Sequence, residues 1–221
     1  YQGESNAHNR EAHEKLFKLL VDSWRKNWED NELPFYYVQL SSIDRPSWPW
    51  FRDSQRRFLT QIPHTGMAVT SDKGDSLNVH PTHKQEVGER LAVWALNKTY
   101  NYKNVVPSGP LFKSVSFKNG AAYISFDYSE GLHASDNNEI RTFELSGDDQ
   151  IFYPAKAAVV NGELKVWSDK VKEPTIWLAT VYSCQFGEWC RVAGFNVPFG
   201  CEITIGEALC FPIGTIKRCK I

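Results

Sequence analysis

The sequence predicts an α/β region followed by an all-β sandwich, and two observations carry that reading. Over residues 1–104 helical and strand-like segments alternate, the order expected of the second half of a doubly wound parallel sheet. Past Tyr100 the texture changes: Pro107-Ser108-Gly109-Pro110 punctuates the chain, and Asn119-Gly120 and Asn161-Gly162 each separate two strand-like runs, a strong hairpin signal. The predicted domains are therefore 1–104 (α/β) and 105–221 (β-sandwich).

Residues 9–30 read as a helix, because Leu16, Phe17, Leu20, Trp24 and Trp28 recur at three and four with charges between them. Leu33-Pro34 breaks that pattern ahead of Phe35-Tyr36-Tyr37-Val38-Gln39-Leu40, an aromatic and β-branched strand. Residues 41–50, rich in serine, proline and tryptophan, form a loop, and Phe51 to Leu59 a second helix. A strand over Met67-Ala68-Val69-Thr70 feeds a polar loop, and an amphipathic helix opens with Pro81 and runs to about Asn97, with Val87, Leu91 and Trp94 as its buried stripe. In the second region Leu111–Phe117 pairs with Ala121–Phe126, and Ala155–Val160 with Glu163–Trp167. Glu139–Leu145 is a further strand, and the alternation of Phe143, Leu145 and Val166 predicts sheets with one buried face.

Composition excludes several functions. The 25 basic and 26 acidic residues are mixed along 221 positions for a net charge of −1, which gives neither a nucleic-acid footprint nor an acidic tail. No apolar run reaches the length of a membrane span, and no signal peptide is present in a chain that begins without methionine and inside a motif. Eight tryptophans and nine tyrosines suit stacking on sugars, and aromatic cores account for them equally well. All five cysteines (Cys184, Cys190, Cys201, Cys210, Cys219) crowd the end of the chain. Their odd count argues against a simple disulfide framework, and the absence of Cys-x-x-Cys spacing or a nearby histidine argues against zinc.

The chemistry concentrates in two blocks. Gly74-Asp75-Ser76-Leu77-Asn78-Val79-His80 forms a polar loop after a strand, the kind of place where α/β hydrolytic enzymes carry reactive side chains. A histidine there can act as general base for a serine nucleophile; the alternative is that His80 caps the helix opened by Pro81. The second block is Tyr1-Gln2-Gly3-Glu4-Ser5-Asn6-Ala7 at the start of the chain.

These two blocks resemble the SGNH (GDSL-type) esterases, and most closely the sialate O-acetylesterase family. The resemblance extends through Ser108-Gly109-Pro110, Phe143-Glu144-Leu145-Ser146-Gly147-Asp148-Asp149 and Tyr153-Pro154-Ala155-Lys156-Ala157, covering residues 1 to about 174. It implies that residues 1–104 are the C-terminal part of an SGNH-hydrolase domain. It also implies that His80 takes the serine proton and returns it to the leaving alcohol. The Tyr1–Asn6 block then helps line the oxyanion hole: glycine admits a close backbone N–H and a side-chain amide supplies another, so Gln2, Gly3 and Asn6 are the unranked candidates. The family's nucleophile lies in an upstream glycine-serine block that this sequence does not contain. Ser5, in Gly-Glu-Ser-Asn, lacks the second glycine of a nucleophile elbow.

The third catalytic member departs from the family pattern, because the position three before the histidine, often aspartate, is Leu77. Asp75 and Asp72 are the carboxylates within loop reach. Asp75 is taken as the group that orients His80, with a backbone carbonyl in a serine–histidine dyad as the alternative. Arg52, in an Arg-x-x-Gln element with Gln55, can meet a sugar carboxylate bidentately or serve a structural ion pair. His83 invites a metal reading that no carboxylate or cysteine pattern supports, so no metal site and no organic cofactor is implied.

After Pro174 the resemblance stops. With allowed codons, Thr175 to Ile203 admits a one-base forward shift reading RYGWQPFTVANLVNGAGLPASTFRSDAK, which carries the family's closing motifs in order. The expectation is an out-of-frame segment over 175–221; the alternative is a divergent, cysteine-bearing terminus. The leading functional reading is a carbohydrate O-acetylesterase acting on O-acetylated sialic acid by a serine acyl-enzyme mechanism, with its nucleophile supplied from upstream and an extracytoplasmic location implied by resemblance. The rivals are an inactive remnant, a non-catalytic sugar-binding module, or an esterase for another acetylated sugar such as acetylxylan. Nothing in the sequence specifies an oligomeric state.

Overall fold

The computed structural model describes residues 1–43, 45–75, 77–133 and 140–179. The five cysteines and most of the segment expected to be out of frame lie outside the described residues.

The first region is built on a parallel pair. Strand β1 (Phe35–Val38) runs beside β2 (Thr65–Ala68) in the register Phe35↔Thr65 to Val38↔Ala68. Parallel strands need a crossover, supplied here by helix α2 (Trp48–Gln61). Helix α1 (Arg10–Asn27) packs with α2 over one face of the pair, where Val21, Tyr37, Phe58, Ile62, Met67 and Val69 form a buried cluster. Helix α3 (Lys84–Trp94) covers the opposite face through Val87, with Leu91 beside it, against Val38 and Ala68. Helices on both faces of parallel strands are the doubly wound arrangement the sequence predicts.

Both helix starts differ from the sequence reading. Helix α2 begins at Trp48, with Pro49 in its first turn, where a missing N–H costs nothing. Helix α3 begins at Lys84 and not at Pro81, so His80 is separated from it by three loop residues and does not cap it. The stripe α1 turns inward is His13, Phe17, Val21 and Arg25, a strict i+4 series. Leu16, Leu20, Trp24 and Trp28, which revealed the helix, are exposed.

Side chains close the ends and edge of the pair. The Trp94 indole N–H donates to Met67 O at 2.9 Å and Arg90 to Val69 O at 2.6 Å, satisfying carbonyls on the β2 edge. The buried Gln55 carboxamide accepts from Leu40 N at 2.9 Å, and Gln55 O accepts from the Tyr37 hydroxyl.

The all-β region is a six-stranded antiparallel sheet in the order β3-β4-β7-β6-β5-β8, curled around its own inner face. Its strands are β3 (Leu111–Lys118), β4 (Ala121–Asp127), β5 (Ile140–Ser146), β6 (Tyr153–Val160), β7 (Glu163–Trp167) and β8 (Ile176–Ala179). Both Asn-Gly turns have two positive φ angles, 51° and 71° at Asn119-Gly120 and 54° and 80° at Asn161-Gly162, the backbone that a two-residue type I′ hairpin requires. Ile124, Phe143, Leu145, Leu164 and Val166 are the centre of its core. Strand β8, at the start of the segment expected to be out of frame, pairs with β5 from Ser146↔Ile176 to Phe143↔Ala179. The two regions touch where the Trp94 and Tyr128 rings meet edge to face at 6.3 Å.

Gly66 lies where Trp94 crosses β2: an added Cβ would fall 2.6 Å from the indole and 2.8 Å from the Tyr36 ring. Gly66→Ala is therefore expected to cost about 1–3 kcal/mol by overpacking, read as a lower denaturation midpoint at unchanged m-value.

Candidate active site

Three segments far apart in sequence meet at the C-terminal ends of β1 and β2. The first is the opening block. Gly3 is buried with φ at 144°, a conformation open to glycine, and the space beneath it is filled by the Phe51 ring and the edge of His13. A 3-10 turn over Glu4–Asn6 follows, with Asn6 N donating to Gly3 O at 2.8 Å. Asn9 then caps α1 by accepting from Ala12 N at 3.2 Å. Gln2 and Ser5 are exposed, and the Asn6 carboxamide lies with Nδ2 at 3.3 Å from His13 Nδ1.

The second segment follows β2. The Thr70 hydroxyl donates to Gln39 O at 2.7 Å, and a 3-10 turn over Ser71–Lys73 then presents Asp72 to Arg90 in a bidentate pair at 2.5 and 2.6 Å. Lys73 extends this network to Glu86 on α3, which His83 also approaches at 3.4 Å. Gly74 lies against the backbone of Ser42, where no Cβ fits, so the loops after the two strands are in direct contact. Asp75 Oδ1 accepts from Leu77 N at 2.8 Å and Asn78 N at 3.0 Å, and Asn78 Oδ1 accepts from His80 N at 2.9 Å. Carboxylate, amide and histidine backbone thus form one braced loop.

The third segment, following β1, joins the other two. Ala7, Leu40, Ile43, Trp48 and Phe51 form a buried cluster, and Val79, the residue before His80, packs against it. Tyr1 spans the same ground: its hydroxyl donates to the Ser41 hydroxyl at 3.4 Å, and its ring lies 4.4 Å from Lys84 Nζ. The structure therefore brings the Gly3–Asn6 block and the His80 loop to one edge of the parallel pair. It does not join Asp75 to His80 side chain to side chain: the Asp75 carboxylate bonds backbone N–H groups, and Asp72 is held by Arg90. His80 itself is exposed.

Arg52 is tied to the interior. Its Nη2 donates to Gln39 Oε1 at 3.2 Å, and Gln39 Nε2 donates to Arg52 O at 2.9 Å. Among the described residues no group of three or more histidine, cysteine, aspartate or glutamate side chains is placed to hold a metal ion. No helix among them is long and apolar enough to cross a membrane.

The sequence reading missed His13. It is 7% exposed, and burial lowers its pKa below the ordinary imidazole range. The i+4 run His13, Phe17, Val21, Arg25 was the available signal, masked by the more apolar series of Leu16, Leu20, Trp24 and Trp28. It also left unassigned the pairing of Arg90 with Asp72, since a pair eighteen residues apart has no helical spacing to betray it.

Comparison with known proteins gives a consistent result. Residues 1–97 match the family model described as a carbohydrate esterase, sialic acid-specific acetylesterase. Mouse sialate O-acetylesterase is 32% identical over 170 residues, covering 66% of this chain and 31% of the mouse protein. The rat sialate O-acetylesterase is 30% identical with the same coverage of each chain. The crystal structure of a carbohydrate acetylesterase from Xanthomonas citri matches with a TM-score of 0.73 and 35% identity, over 80% of this chain and 43% of that one. The chain thus spans about a third of the length of the curated relatives it matches.

Two outcomes follow from the site's electrostatics. Asp72→Ala leaves Arg90 buried without its carboxylate and is expected to cost about 3 kcal/mol, measured by denaturant unfolding. Because the folded-state pKa of His13 is depressed, the unfolded chain binds more protons between that value and about 6.5. Stability is therefore full above that range and falls as pH drops through it, and His13→Phe is expected to remove this part of the slope in thermal melts taken from pH 7.5 to 4.5.

Proposed function

The chain belongs to the sialate O-acetylesterase family of carbohydrate esterases, and on that basis we propose that it forms part of an enzyme that hydrolyses acetyl esters of sialic acid through a serine acyl-enzyme. The observation that carries the proposal is the meeting of the Gly3–Asn6 block with the His80 loop through Ala7, Val79 and the Tyr1–Lys84 contact.

In this reading the serine comes from a segment outside this sequence. Its hydroxyl oxygen attacks the acetyl carbonyl while the His80 imidazole takes the proton. The carbonyl oxygen becomes negative and is met by donors from the opening block: the Gly3 backbone N–H, the Asn6 carboxamide, and the exposed Gln2. The carbon–oxygen bond to the sugar breaks as His80 returns the proton to the leaving sugar hydroxyl. Water, deprotonated by the same imidazole, then attacks the acyl-enzyme, and acetate leaves as the serine recovers its proton.

Asp75 serves His80 through the loop. It holds the Leu77 and Asn78 N–H groups, and Asn78 holds the His80 N–H. Asp75→Ala is then expected to weaken positioning of the imidazole, read as a lower kcat for acetate release. Arg52 is the candidate partner for the sialic acid carboxylate, in exchange for its bond to Gln39. Relatives in this family suggest a periplasmic, secreted or lysosomal setting, and the reaction calls on no metal or organic cofactor.

Acetate release from O-acetylated sialic acid tests the reading. The protein carrying its upstream segment is expected to release acetate and to be labelled by an organophosphonate, and the 221-residue chain alone to do neither. His80→Ala is expected to lower kcat at least about a thousandfold. Activity in the chain alone would move the nucleophile into this sequence, with Ser5 tested first. Release from acetylxylan alone would change the substrate, and silence on every ester would leave a sugar-binding module or an inactive remnant.

A further inference from the structure

His13 occupies a place where a hydrocarbon would be cheaper. Its ring centroid lies 4.6 Å from Phe51, 6.2 Å from Phe58 and 6.3 Å from Phe17, so three aromatic rings surround it. An imidazole in such a cage gives up its water, a cost that leucine or phenylalanine in the same volume would avoid. Among the described residues its ring makes one polar contact, Nδ1 to Asn6 Nδ2 at 3.3 Å, and Nε2 is buried without a hydrogen-bond partner. Burial also disfavours its cationic form. An amide nitrogen only donates, so Nδ1 is the bare acceptor and the ring proton resides on Nε2.

The same ring reaches the second oxyanion candidate. A Cβ on Gly3 would lie 2.9 Å from Phe51 and 3.4 Å from His13 Cε1, so the aromatic cage is also the floor on which Gly3 rests. Two candidate donors, a backbone N–H and a side-chain amide, are thus indexed to one buried side chain on α1.

We propose that His13 is a positioning residue of the oxyanion loop: seated beneath Gly3, it holds one N–H of the Asn6 carboxamide and leaves the other for the negative oxygen of the tetrahedral intermediate. The proposal rests on the reading of Asn6 as an oxyanion donor. An amide free to rotate spends part of its time with its carbonyl turned toward the developing charge; one fixed by a neutral acceptor does not, and that preorganisation is the source of the rate gain. His13 touches no reacting atom in this account.

The test uses the enzyme with its upstream segment. His13→Phe keeps the cage filled and removes the acceptor. It is expected to lower kcat by about ten- to a hundredfold with KM unchanged, and His13→Gln, which retains an acceptor oxygen, to recover part of that loss. In an Asn6→Ala background His13→Phe is expected to cost nothing further. An equal loss in both backgrounds, or a loss confined to KM, overturns the proposal. Independently of turnover, the ¹⁵N spectrum of the wild-type imidazole is expected to show the Nε2–H tautomer, and the Asn6 side-chain amide protons to shift in His13→Phe. The Nδ1–H tautomer, or unmoved Asn6 signals, overturns the proposal even in an active esterase. A wild type with the expected spectra and no esterase activity overturns the functional reading of the site instead.

Discussion

The parallel pairing of Phe35–Val38 with Thr65–Ala68 is the constraint on which the rest of the site depends. Strands that run the same way end at the same edge, so the loops that follow them emerge side by side. Ser42 and Gly74, thirty-two residues apart, are in backbone contact for this reason, and a side chain at Gly74 would push the loops apart. Once the loops are adjacent, the cluster of Ala7, Leu40, Ile43, Trp48, Phe51 and Val79 draws the opening block onto the same edge. Hydrophobic burial locates the site, and hydrogen bonds set its detail.

That detail comes from polar groups taken out of water. Gln39, Gln55 and Thr70 are buried at or beside the strand ends, where Gln39 donates to Arg52 O on α2, Gln55 accepts from Leu40 N and Thr70 donates to Gln39 O. A buried amide or hydroxyl without a partner costs more than a formed bond returns, so these contacts admit few alternatives. The Asp72–Arg90 pair works in the same way at longer range, pinning the turn after β2 to α3, while Arg90 also satisfies Val69 O. Asp75 then acts locally, turning the loop so that Asn78 can hold the His80 backbone. The carboxylate nearest the histidine in sequence shapes the loop, and the more distant one anchors it.

Helix α1 carries polar side chains within its buried stripe. Its inward stripe carries a histidine and an arginine, each answering an unsatisfied group: His13 meets Asn6, and Arg25 donates to Leu33 O and Pro63 O. Beside that stripe Leu16, Leu20 and Trp24 are exposed, and the Trp24 ring stacks on that of the C-cap residue Trp28 at 5.0 Å.

What the sequence determined by itself was whatever depends on neighbours in the chain. The Asn119-Gly120 and Asn161-Gly162 turns were legible because positive φ is a local demand, and the β1 strand because its aromatic and β-branched residues are contiguous. The His80 loop and the Gly3–Asn6 block were legible as motifs. Tertiary structure decided what no local pattern encodes. It set the start of α3 at Lys84 and the face that α1 turns inward, committed Asp72 to Arg90, tied Arg52 to Gln39, and placed His13 against Asn6. The side-chain pairings among these are choices between partners that the folded chain brings together, and burial makes the cost of an unmet polar group large enough to select one.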